Sequence, residues 1–151
     1  MLPLRPATLA FEPPAAMPLI QLISALAGDN ELAVVVTDGL LLASGPHILY
    51  VNAAFERLTG YASQELIGAS PRILQGPATS LAARKRLSKA LRAGQRHSTT
   101  LVNYRKSGEP YRCAIDMFPL LTPEGELFAA VALEREAPRR RGRRPAQGGE
   151  D

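Results

Sequence analysis

The chain has 151 residues, 46% hydrophobic and 21% charged, which suits one domain with a real core plus a tail and excludes whole-chain disorder. A single cysteine, Cys113, excludes an internal disulfide framework and a cysteine-cluster zinc site. The net charge of +4 belongs to the tail: residues 139–151 hold five arginines and two acids, while the remainder holds 13 basic and 12 acidic groups, so the basic isoelectric point does not mark a nucleic-acid-binding face.

Residues 1–17 are rich in Pro and Ala, lack a sustained period, and read as a mobile arm. Pro3, Pro6, Pro13 and Pro14 break any signal-peptide core. No apolar run nears the roughly eighteen residues of a membrane span, and a reducing cytoplasm is the default compartment. Residues 18–31 form a flank in which Leu19, Leu22, Ile23 and Leu26 repeat as on an amphipathic helix, with Gly28 placed to end it. That stripe has two readings: packing on its own sheet, or pairing with a second copy of the chain.

The domain proper is expected over 32–137. Residues 32–37 are a β-branched run and read as a strand, with 48–52 as its partner and Gly45-Pro46 as punctuation. Asn52 can cap a short helix through Phe55 and Leu58 that Gly60 stops, and Ser63 can cap another containing Leu66. From Gly68 to Pro77 the glycines and prolines predict loop and short turns. Thr79 opens a longer helix, with Ala83, Leu87, Ala90 and Leu91 facing inward and Arg84, Lys85, Lys89 and Arg92 outward, until Gly94. Three strands follow, over 97–105, 110–121 and 126–136. Lys106-Ser107-Gly108-Glu109 and Thr122-Pro123-Glu124-Gly125 are the hairpin turns between them. Residues 138–151 read as a disordered arginine-rich tail; Arg139 to Arg144 are the only stretch suited to nucleic acid or acidic lipid. The fold class is α+β: a five-stranded antiparallel sheet with helices on one face, enclosing a ligand cavity where the helical section crosses the sheet.

The segments "LYVNAAFERLTGYASQELIG", "RILQGPATS", "LVNYRKSGEPY" and "PEGELFAAVALERE" together resemble a PAS domain of the LOV (light-oxygen-voltage) type over about residues 33–136. The resemblance implies a sensory domain that holds a flavin, usually FMN, between sheet and helices. The LOV signature G-x-N-C-R-F-L-Q falls on Gly68-Ala69-Ser70-Pro71-Arg72-Ile73-Leu74-Gln75. Ser70 stands where the family has asparagine and Pro71 where it has the photoactive cysteine. Proline carries no nucleophile, so the family's sulfur adduct is not expected.

By the same resemblance, Arg72 would face the flavin phosphate, Gln75 the ribityl chain, and Asn103 the polar ring edge. A second phosphate-facing arginine falls on Ser88, with Arg84 and Arg86 nearby; a second ring-edge asparagine falls on Cys113, and the signal-transmitting glutamine on Glu134. Each position also has a plainer reading. Arg72 and Gln75 could serve loop packing, Asn103 a turn, Cys113 a small buried apolar site, and Glu134 a solvent-facing or ion-paired strand residue beside Arg112 or Arg135. His47 and His97 have no catalytic partner in sequence, Asp38 and Asp116 form no acid pair, and no P-loop, dinucleotide fingerprint or nucleophile elbow is present. Two functions remain: a flavin sensor responding by reduction, with Tyr50, Tyr61 or Tyr104 or an external reductant as electron donor, or an interaction and dimerisation module without flavin. A homodimer and an unknown downstream signalling protein are the expected partners, and no metal or enzymatic role is expected.

Overall fold

The computed structural model describes residues 16–27, 31–41 and 45–138. Of the expected arm over 1–17, residues 1–15 lie outside the described residues, as do Gly28 and residues 139–151 of the tail; Ala16 and Met17 are not arm but the first turn of a helix, ahead of the expected flank at 18.

Five strands form one antiparallel sheet in the order β2-β1-β5-β4-β3. They are β1 (Ala33–Asp38), β2 (Ile48–Val51), β3 (His97–Tyr104), β4 (Pro110–Leu121) and β5 (Leu127–Glu136). Strands β1 and β2 sit at one end of that order and β4 and β3 at the other. The chain between β2 and β3 therefore crosses one face, carrying α2 (Ala53–Thr59), α3 (Ser63–Leu66), a 3-10 turn (Pro71–Leu74) and α4 (Leu81–Arg92). The expected α+β class is the observed one.

Local chemistry places each element. Asn52 caps α2: its Oδ1 accepts from Phe55 N at 3.0 Å and from Val34 N at 2.9 Å, while Nδ2 donates to the Leu32 carbonyl at 2.9 Å. One side chain thus starts a helix and ties it to β1. Gly60 ends α2 with φ 77°, a left-handed conformation that favours glycine. Two expected helix starts shift by a residue. Ser63 is the first residue of α3, not its cap; the preceding Ala62 amide is held by Glu65 Oε2 at 2.9 Å. Ser80, not Thr79, caps α4, accepting from Ala83 N at 3.2 Å. Thr79 is buried instead, its hydroxyl donating to the Val102 carbonyl at 2.6 Å and accepting from Gly76 N at 3.0 Å. That clasp ties the segment before α4 to β3 at Val102.

Packing between sheet and helices forms two adjoining clusters. One gathers Val35, Ile48, Val51, Phe55, Leu66 and Leu74. The other sets Ala83 and Ala90 of α4 on Leu101, Tyr111, Cys113, Ile115 and Met117. Leu58 and Ala132 touch both. Val34 and Val36 alternate onto the opposite face of β1 and are buried as well. Beyond the domain, α1 (Ala16–Ala27) covers the expected amphipathic stripe. Leu19 and Ile23 are half-buried, whereas Leu26 is 74% exposed; the Leu22 side chain lies outside the described residues.

At the end of β1, the buried Asp38 carboxylate accepts from the Leu40 and His47 amides at 3.1 and 2.9 Å and meets His47 Nδ1 at 2.8 Å. His47 thus has an acidic partner that its sequence position did not reveal. The pair ties down the β1–β2 connection, where Gly45-Pro46 is a cis peptide.

Candidate functional site

Alternation along β3, β4 and β5 sends every second side chain to the helix-covered face. Leu101 and Asn103 point there from β3, and Tyr111, Cys113, Ile115 and Met117 from β4. Register then builds a polar group inside an apolar surround. Asn103 lies opposite Tyr111, Leu101 opposite Cys113, and Ile115 opposite Glu134 of β5, which faces Ala33 on its other side. Asn103, Tyr111 and Glu134 are 4%, 5% and 6% exposed, and Cys113 is fully buried.

Two atoms of this group lack hydrogen-bond partners: the Tyr111 hydroxyl and Glu134 Oε2. Each such orphan costs about 1–3 kcal/mol. Burial pushes the Glu134 carboxyl up to about 7, because a carboxylate loses its water there. Burial likewise raises the Tyr111 phenol and the Cys113 thiol well above their ordinary ranges, and the nearby Glu134 charge adds to both shifts. The Asn103 amide pulls both in the opposite direction. The four side chains therefore act on one another as a set.

The set is connected to the end of β5. The Arg105 guanidinium stacks over the Tyr111 ring at 4.2 Å, donates to the Leu58 carbonyl, and pairs with Glu136 at 2.9 Å. Next to it, Arg112 donates to the Pro138 carbonyl at 2.9 Å. Glu134 does not meet solvent or pair with Arg112 or Arg135; it is buried on β5, as are Ala129 and Ala130.

The second group surrounds the 3-10 turn. Pro71 opens it, Ser70 Oγ accepts from Arg72 N at 3.3 Å, and Leu74 anchors it in the core. Arg72 is exposed. Gln75 Oε1 accepts from Arg84 Nη1 at 3.0 Å. Arg84 is therefore half-buried and turned toward the turn, not outward as its helical position suggested, and its Nε is buried without a hydrogen bond. Ser88 lies one helical turn later, also half-buried.

Asn103, Cys113 and Glu134 thus converge on the sheet, and Ser70, Pro71, Arg72 and Gln75 share the turn. Sequence reading missed Tyr111, Arg105 and the Arg84–Gln75 contact. The period-2 pattern held a signal for Tyr111, which stands two residues before Cys113 and so shares its face. Among the described residues no group of three or more His, Cys, Asp or Glu side chains is arranged to hold a metal, and no helix is long and apolar enough to cross a membrane.

A flavin needs a polar edge that exchanges hydrogen bonds, apolar walls, and a cationic site for its phosphate. The orphaned Tyr111 and Glu134 atoms beside Asn103 fit the edge, the leucines and Met117 fit the walls, and Arg72 with Arg84 fits the phosphate.

Residues 34–136 match the PAS domain family, and the chain belongs to it. More particularly it is a LOV-like member. It is 39% identical over 87 residues to a blue-light-activated histidine kinase of Brucella anthropi, covering 58% of this chain and 18% of the kinase. The LOV domain of the Erythrobacter litoralis EL346 blue-light-activated histidine kinase superposes with a TM-score of 0.64 at 30% identity, covering 70% of this chain and 94% of that one. A rat voltage-gated delayed rectifier potassium channel, KCNH4, is 40% identical over 90 residues, covering 56% of this chain and 9% of the channel. The chain thus spans under a fifth of the kinase and a tenth of the channel.

Proposed function

We propose that this LOV-like sensory domain holds FMN between its helices and the inner sheet face, and answers light or redox change by flavin reduction without a cysteinyl adduct. The observation that carries the reading is the buried polar set of Asn103, Tyr111, Cys113 and Glu134 on that face, in which the Tyr111 hydroxyl and Glu134 Oε2 have no hydrogen-bond partner. A sealed apolar interior would not keep such atoms without something to meet them. When bound, the flavin supplies the light absorption and the electron-accepting chemistry.

The residues of this chain supply binding and response. Arg72 and Arg84 offer guanidinium forks to a phosphate, with Gln75 beside them for the ribityl hydroxyls. Asn103 and Tyr111 offer a donor and acceptor each to the ring edge. Pro71 has no nucleophile, and the Cys113 thiol is held protonated by burial, so neither supplies the thiolate an adduct needs. Rearrangement around Glu134 would reach the end of β5 through Tyr111, Arg105 and Glu136. This chain itself carries no catalytic step in this reading; an unidentified signalling protein receives the change. A homodimer through the exposed part of α1, a cytoplasmic location, and salt-sensitive anion contacts by Arg139 to Arg144 complete the proposal.

A second reading, an interaction module without flavin, is favoured by the 40% identity to the channel, whose name carries no reference to light. Fluorescence titration of the purified chain with FMN separates the two. Saturable quenching with one FMN per chain supports the sensor, and no binding at micromolar chain and excess FMN supports the interaction module.

A further inference from the structure

We propose that the Tyr111 hydroxyl and the Glu134 carboxylic acid are the hydrogen-bonding pair that a planar heteroaromatic ligand completes, so that the ligand selects protonated Glu134 and takes up a proton as it binds. This rests on the flavin reading of the same site and adds Tyr111 and a proton to it.

The geometry is the ground for it. Both side chains are over nine-tenths buried, both project from the inner sheet face, and each presents an oxygen with no hydrogen bond. The Arg105 guanidinium stacks over the Tyr111 ring at 4.2 Å and fixes it, while the hydroxyl, close enough to the Asn103 amide and the Cys113 thiol to feel both, makes no well-formed hydrogen bond. Glu134 is flanked across the sheet by Ile115 and Ala33, neither of which bonds a carboxyl. Other parts of the surround are apolar too: α2 contributes Leu58, and α4 contributes Ala83, Leu87, Ala90 and Leu91. The titratable groups acting near Glu134 are Tyr111 and Cys113 of β4, both protonated, with Arg105 acting on those two from beyond the Tyr111 ring. Arg84 of α4 is engaged by Gln75. Among the described residues no cation is therefore aimed at Glu134 to hold it ionised, and its titration near 7 follows from burial. A carboxylic acid donates a hydrogen bond to a ring carbonyl or ring nitrogen; a carboxylate facing the same acceptor repels it. The phenol supplies either a donor or an acceptor to the neighbouring ring atom. Ligands of this class are flat, apolar on their faces, and carry acceptors on one edge, as the flavin dione ring does.

FMN is the probe, with its Kd measured by fluorescence from pH 6 to pH 8. If only the protonated form binds, the wild-type Kd rises about tenfold across that interval. Glu134→Gln keeps a neutral donor, so its Kd is flat with pH. Tyr111→Phe weakens binding on the order of tenfold at every pH and keeps the wild-type slope. Calorimetry of the wild type in two buffers of different ionisation enthalpy needs no variant: uptake of about half a proton per FMN at pH 7 is expected. FMN binding with a flat wild-type profile and no proton uptake overturns the pairing while leaving the flavin reading intact. An unchanged slope in a folded Glu134→Gln does the same. Absence of FMN binding at every pH overturns both.

Discussion

The buried carboxyl of Glu134 makes a prediction that needs no ligand. In the unfolded chain it titrates at its ordinary value of 4.5, and in the folded chain at about 7. Between those values the folded state binds more protons than the unfolded one, so stability falls as pH rises through the window. The group's favourable contribution is fully present below about 4.5 and is lost by just above 7. Moving a carboxyl over that distance corresponds to about 3 kcal/mol. Glu134→Gln removes the titration while keeping size and polarity. Any constant penalty of the amide shifts its whole curve without changing the slope. The stability of the variant relative to wild type should therefore improve by about 3 kcal/mol between pH 4.5 and pH 7.5, a relative gain of about 10 °C in Tm for a domain of this size. Urea unfolding of the ligand-free protein at a series of pH values measures it, since contributions from other groups cancel in the difference. Parallel stability curves for the two proteins would refute the assignment of Glu134 as a buried, unpaired acid.

Asn52→Ala strips partners from the Val34 and Phe55 amides and the Leu32 carbonyl, and should cost about 2–4 kcal/mol in urea unfolding; a loss under 1 kcal/mol would show that the cap is not the link between β1 and α2. Pro71→Cys places a thiol where the resemblance puts the photoactive sulfur, so the FMN-loaded variant should form a thiol adduct under blue light, seen by absorbance, whereas Pro71 protein should not. Leu26→Asp charges a large apolar residue of α1 that is 74% exposed and should weaken self-association about tenfold or more by light scattering; a wild-type chain that is monomeric at high concentration would remove the dimer from the proposal.

Much of the fold was legible because its signals are local. The β4 range was read to the residue from its turn chemistry at both ends, and α2 from Asn52 and Gly60. The misplaced helix starts share a cause: Ser63 and Thr79 are good caps by residue type, yet Glu65 and Ser80 make the bonds. The site was half legible. Asn103, Cys113 and Glu134 were singled out by resemblance, but Glu134's burial depends on β5 being central to the sheet, which no local pattern states. Arg84 was misread because a basic residue on an amphipathic helix usually faces water; only the fold brings Gln75 to it. Tyr111 was passed over although its strand parity matched that of Cys113. The Asp38–His47 contact needed the β1–β2 connection to be closed before the two could meet.

The central claim is that the interior holds a flavin that is reduced without sulfur chemistry. It is tested most directly by recording the absorbance of FMN-equilibrated, gel-filtered protein in the dark and under blue light with a mild external reductant. A flavin band that travels with the protein, bleaches toward reduced flavin on illumination and returns in air is the predicted result. A thiol-adduct spectrum, or protein that leaves the column without flavin, would contradict it.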